Sequence, residues 1–78
     1  MLDTNSFRFS IDRGGTFTDI YAEVPGEPGF KVLKLLSENP KRYLDAPIEG
    51  MRQIIQEVTG KPISSEFVIA SFGSLIIC

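Results

Sequence analysis

Residues 12–19, D-R-G-G-T-F-T-D, set two carboxylates (Asp12 and Asp19) around an arginine (Arg13), two adjacent glycines (Gly14 and Gly15) and two threonines (Thr16 and Thr18). Glycine leaves the backbone uncovered, so an anion can approach the N–H groups of such a turn. Successive N–H groups in a turn can share one concavity and hold phosphate. The threonine hydroxyls add donors for phosphate oxygens or ligands for a metal ion. Two aspartates would repel a bare phosphate, so this chemistry needs a divalent cation between them. Mg²⁺ suits the place, because it takes one or two carboxylates plus phosphate oxygens and keeps several waters. The string therefore reads as a nucleotide-phosphate and Mg²⁺ loop. The same residues also suit a plain hairpin turn. The string is neither of the common nucleotide-binding motifs, and it opens into a strand, so no helix N-terminus assists. On residues alone both readings stand.

The elements that must position this loop follow from hydrophobic period. Phe7, Phe9 and Ile11 alternate with Arg8, Ser10 and Asp12, the period of a half-buried strand. The alternation resumes with Ile20, Ala22 and Val24 on one side and Asp19, Tyr21 and Glu23 on the other. The adjacent glycines between these runs suit a hairpin turn with positive φ. P-G-E-P-G at 25–29 is a strong breaker whose two glycines are free to take positive φ. A third apolar run follows at 30–36. These segments predict an antiparallel meander of strands at 7–12, 17–24 and 30–36.

After a loop at 37–46, Asp45 as cap and Pro47 in the first turn signal a helix start. Ile48, Met51, Ile54, Ile55 and Val58 share one helical face, opposite Glu49, Arg52, Gln53, Gln56 and Glu57. Gly60 suits the C′ position and Pro62 stops continuation, which predicts a helix over 47–59. Gly50 costs this helix about 1 kcal/mol relative to alanine, which points to close packing against the sheet. The apolar run at 67–72 predicts a fourth strand. The fold class expected is α+β: a meander with one packed helix.

The totals exclude several function classes. Seventy-eight residues make one small domain with a thin core. The formal net charge is -2 and the eight basic residues are scattered, so there is no clustered basic face for nucleic acid. Histidine is absent and Cys78 is the single cysteine, which excludes an internal disulfide and a Cys/His metal cluster. No run approaches the ~20 apolar residues of a membrane span, and the N-terminus lacks the basic-then-apolar pattern of a secretion signal. A small-molecule nucleotide is the expected partner, and the cytoplasm is the default compartment.

F-S-I-D-R-G-G-T-F-T-D-I-Y-A-E-V-P-G, then K-V-L-K-L-L-S-E-N-P, then D-A-P-I-E-G-M-R-Q-I-I-Q-E-V-T-G together resemble the N-terminal region of the hydantoinase A/oxoprolinase family. The resemblance is strongest over residues 7–60, and K-L-L-S-E points to the oxoprolinase branch. It implies that the chain is the opening part of an actin/sugar-kinase-like (ribonuclease H-like) ATPase domain. It also implies ATP and Mg²⁺ as cofactors, ATP-dependent opening of 5-oxo-L-proline to L-glutamate in the glutathione cycle, and homodimeric intact relatives. Carried over by position, Asp12 would hold Mg²⁺. Gly14, Gly15 and Thr16 would cradle phosphate, and Arg13, Thr18 and Asp19 would complete the loop.

Residues 61–78 depart from the family pattern. F-G-S-L-I-I-C stands where a second family motif, R-M-G-T-T-V-A-T-N, is expected, so the chain reads as a truncated member with the rest of the site absent. Three functions follow. The first is an N-terminal oxoprolinase piece that is inactive alone. The second is a small nucleotide-phosphate module completed by a partner, and the third is a remnant in which the glycines only make a turn.

Overall fold

The computed structural model describes residues 7–72. Its chain order is β1 (Arg8–Arg13), β2 (Phe17–Glu23), β3 (Phe30–Leu36), α1 (Ala46–Thr59) and α2 (Ser65–Phe72). The strands form one antiparallel sheet in the order β1-β2-β3, so among the described residues β2 is central and both neighbours are edges. The expected meander is present, with strand ends shifted by a single residue in β1 and β2. Gly26 and Gly29 adopt φ of 81° and 79°, which makes the break between β2 and β3 a glycine-dependent connection.

Register assigns the faces. Ile11 pairs with Ile20 and Ile20 with Leu33, so one apolar row crosses all three strands. Ile20 and Ala22 are fully buried on this face beneath α1. The opposite face carries Phe17, Tyr21, Phe30, Val32 and Leu36, all of them exposed, with Phe30 at 63% and Val32 at 59%. The domain therefore has two layers, with helices on one side of the sheet.

Helix α1 starts and stops where its side chains dictate. Asp45 is extended (φ -143°) and its carboxylate accepts from the Ile48 N–H at 3.2 Å. Gly60 is left-handed at φ 70° and donates its N–H to Gln56 O at 2.9 Å. Met51, Ile54 and Ile55 are buried, and Val58 packs at the margin. Gly50 meets the sheet closely, as its cost implied: a Cβ there would collide with Ile20.

The segment expected as a fourth strand is helical, so there are two helices rather than one among the described residues. A short apolar run does not distinguish strand from helix by itself. The deciding features are local and tertiary. Ser64 Oγ accepts from the Phe67 N–H at 3.1 Å, capping α2, and Glu66 lies in the first turn. Val68 and Phe72, four residues apart, are buried, and Phe72 meets Phe9 edge-on at 5.3 Å. The remainder of the apolar ending, residues 73–78, lies outside the described residues. Among the described residues no helix is long and apolar enough to cross a membrane.

Candidate functional site

The β1–β2 connection holds the chemistry-bearing residues, and the register fixes where each one points. Arg13 pairs with Thr18, leaving residues 14–17 to reverse the chain. Gly14 N–H donates to Phe17 O at 2.9 Å and closes the hairpin. Neither Gly14 nor Gly15 takes the positive φ expected for adjacent glycines. Two-residue primed turns demand positive φ, whereas a four-residue connection built on ordinary turn geometry does not. The glycines differ in what they meet. A Cβ on Gly14 would come within 3.0 Å of Phe17 O, whereas a Cβ on Gly15 would meet nothing within 4 Å. Gly15 is thus required neither by φ nor by packing within the described residues. Its N–H, and that of Thr16, find no acceptor among those residues.

The threonines separate. Thr16 is exposed on the loop. Thr18 is fully buried, on the face covered by α1, with its Oγ1 2.9 Å from Ser37 Oγ. Ser37 Oγ donates its one proton to Gly14 O at 2.6 Å, so in the Thr18–Ser37 bond Thr18 is the donor. The Thr18 hydroxyl is therefore committed to the interior and is not brought to the open side of the loop. Ser37, also buried, falls in the K-L-L-S-E string but is not among the loop residues singled out by the sequence, because it comes 23 residues after the glycine it binds. Its backbone N–H donates to Thr16 O at 2.8 Å as well.

The two aspartates do come together. Asp12 and Asp19 are direct cross-strand partners on the face away from α1, and Lys34 is the next residue in that row. Like charges placed opposite each other are unfavourable. Lys34 Nζ lies 3.4 Å from Asp19 Oδ1 and 5.2 Å from the centre of the Phe17 ring, so it offsets one of the two carboxylates. The Asp12 side chain is exposed and has no ion pair or hydrogen bond among the described residues. No third His, Cys, Asp or Glu joins them to form a metal-binding group among those residues. One or two carboxylates with open coordination match Mg²⁺, which binds through few protein ligands and retains water. Calcium and zinc cages need more ligands than this row supplies.

A second polar cluster lies on α1. Arg52 grips Glu49 with two bonds, Nε to Oε1 at 2.9 Å and Nη2 to Oε2 at 2.7 Å, while Gln53 Nε2 adds 2.7 Å to Oε2. The hydrogen bonds from Arg52 hold the Glu49 carboxyl below its usual range; partial burial opposes this, and the Gln53 bond and the Arg52 charge reinforce it. Arg52 also reaches Gln56 Oε1 (3.1 Å) and Ile63 O (3.4 Å), and Gln56 Oε1 accepts from Ile63 N–H. Every strong contact here is satisfied internally, and the cluster serves to tie the α1–α2 connection to α1.

The hydantoinase/oxoprolinase N-terminal region family matches residues 8–74. The chain is 64% identical over 56 residues to 5-oxoprolinase 1 of Arabidopsis thaliana, covering 72% of this chain and 4% of that protein. It is 60% identical over 63 residues to 5-oxoprolinase of Dictyostelium discoideum, covering 81% of this chain and 5% of that one. Against 5-oxoprolinase of Saccharomyces cerevisiae the identity is 39% over 64 residues, 80% of this chain and 5% of the relative. The chain thus spans about a twentieth of the length of these curated relatives. No solved structure matches it. The D-R-G-G-T-F-T-D hairpin lies within the matched residues, and on these grounds the chain belongs to the hydantoinase/oxoprolinase N-terminal region family.

Proposed function

We propose that this chain is the phosphate-binding opening segment of an ATP-dependent 5-oxoprolinase, the first part of an actin/sugar-kinase-like ATPase domain. The observation that carries the reading is Gly15. It occupies a turn where, among the described residues, neither φ nor packing calls for glycine, and it exposes a backbone N–H with open space around its Cα. Close approach of a ligand to the backbone is the remaining physical use for a glycine there. The carboxylate row supports the same reading, because Asp12 and Asp19 need a cation and Asp19 alone has Lys34.

In this reading Gly15 and Thr16 present N–H groups to phosphate oxygens, and the Thr16 hydroxyl adds a donor. Asp12 holds Mg²⁺, with Asp19 completing the charge balance across the strand. When bound, ATP would supply a phosphoryl group to activate the lactam amide oxygen, with ADP released. The residues of this chain only bind and orient. One hairpin leaves phosphates in water, where Coulomb attraction between unit charges 4 Å apart is about 1 kcal/mol. The chain alone therefore does not turn over 5-oxoproline, since near-attack geometry needs the substrate held as well.

The test is titration of this chain with Mg·ATP, followed by amide chemical shifts. Gly15 and Thr16 amides should move at millimolar Mg·ATP, and Asp12→Asn should weaken the response severalfold without lowering the melting temperature. Equal loss of binding and stability would make Asp12 a turn residue. No shift at Gly15 in the wild type would leave the hairpin as a structural turn.

A further inference from the structure

Ser37 sits at the end of β3, 6% exposed, and its two polar groups both take carbonyls of the β1–β2 loop. Its hydroxyl donates to Gly14 O at 2.6 Å and its N–H donates to Thr16 O at 2.8 Å. Thr18 donates to Ser37 Oγ from below, completing a relay from Thr18 through Ser37 to Gly14. Aligned hydroxyls polarise one another, so the terminal bond is stronger than an isolated one.

These contacts have a stereochemical consequence. All described peptides are trans, and in a trans peptide the C=O of one residue and the N–H of the next point in opposite directions. Anchoring Gly14 C=O to Ser37 therefore aims the Gly15 N–H away from Ser37, out of the sheet–loop junction. That N–H is the unaccepted donor on an open glycine. Without the anchor the 14–15 peptide could flip, because glycine on both sides imposes little backbone preference. A flipped peptide would present a carbonyl oxygen, which repels phosphate.

We propose that Ser37, through its hydroxyl bond to Gly14 O, is the positioning residue that locks the 14–15 peptide with its N–H facing a bound phosphate. This inference rests on the phosphate-loop reading above. Thr18 acts through Ser37 and contacts no ligand, so the buried threonine serves the site by holding the serine proton in one direction.

The test uses this chain with Ser37→Ala and Ser37→Thr, read by amide relaxation without ligand and by Mg·ATP titration. Ser37→Ala should lower the order parameters of residues 14–16 while β2 and β3 stay rigid. It should also weaken Mg·ATP severalfold and by no more than about tenfold, because the lost hydrogen bond only lowers the population of the competent peptide orientation. Ser37→Thr, which keeps the hydroxyl, should restore both. Unchanged loop order in Ser37→Ala would overturn the proposal whatever the binding result. A loosened loop in a chain whose wild type does not bind Mg·ATP would overturn the phosphate role and the function above, leaving Ser37 as a loop anchor. If Ser37→Ala does not fold, Ser37→Cys keeps the shape with a weaker donor and takes its place in the same comparison.

Discussion

Ile20 fills the space that a side chain at position 50 would need: a Cβ on Gly50 would lie 2.8 Å from Ile20 Cγ1, nearer still to Cδ1, and 3.4 Å from Leu35 Cδ1. The helix sits this close to the central strand because residue 50 has no side chain. Ile20 is fully buried, so moving it aside disturbs the core it packs in. Gly50→Ala gains about 1 kcal/mol of helix propensity and meets an overpacking cost of about 1–3 kcal/mol. The expected net result is destabilisation, read as a lower urea midpoint. Adding Ile20→Val removes the nearest methyl, and the double variant should be more stable than the sum of the single effects.

Gly14 and Gly15 are adjacent but should respond in opposite ways. Gly14→Ala pushes a Cβ to 3.0 Å from Phe17 O in the hairpin closure and should lower the melting temperature. Gly15→Ala meets open space at a φ that alanine accepts. It should leave stability unchanged or raise it by about 0.4–1 kcal/mol, through the unfolded chain. The same Gly15→Ala change should weaken Mg·ATP in the titration described above. Loss of stability in Gly15→Ala would show that the fold itself needs this glycine.

The Glu49–Arg52 pair should make stability depend on acid. Glu49 titrates below its usual range in the folded chain, chiefly because Arg52 hydrogen-bonds the carboxylate. The unfolded chain therefore takes up the proton first as pH falls. The stabilisation is complete above the ordinary glutamate pKa and disappears as pH drops through the depressed one. For a half-buried bidentate pair we expect about 1 kcal/mol at neutral pH. Urea unfolding of wild type and Glu49→Gln should differ by that amount near neutrality and converge as pH falls through the depressed Glu49 pKa. A constant difference across pH would assign the effect to packing.

The outer sheet face should make the isolated chain self-associate. Phe30 and Val32 lie on edge strand β3 with Phe17, Tyr21 and Leu36 beside them, all exposed. Apolar groups clustered on an open edge favour association. Val32→Lys should reduce concentration-dependent light scattering and shift stability by no more than about 0.5 kcal/mol, as for a surface change. Scattering that persists unchanged would place the association elsewhere.

Local chemistry was enough to determine the meander, helix α1 and its caps, because each depends on neighbours within a few residues. The alternation from Asp19 to Val24 put Ile20, Ala22 and Val24 in the core, and Asp45 and Gly60 bound α1 as their side-chain and φ preferences require. Helix α2 was legible only in part. Ser64 and Glu66 are a start signal, but the apolar run after them fits a strand equally until Phe72 packs on Phe9. The loop residues were legible as a string of types, and their roles were not. Register alone makes Asp12 and Asp19 cross-strand partners and brings Lys34 beside Asp19. Register also buries Thr18 and carries Ser37 back to Gly14 across 23 residues. A hydrogen bond between distant residues depends on how strands pair and which face each side chain takes, so only the tertiary structure could choose between a hydroxyl offered to a ligand and one committed to the fold.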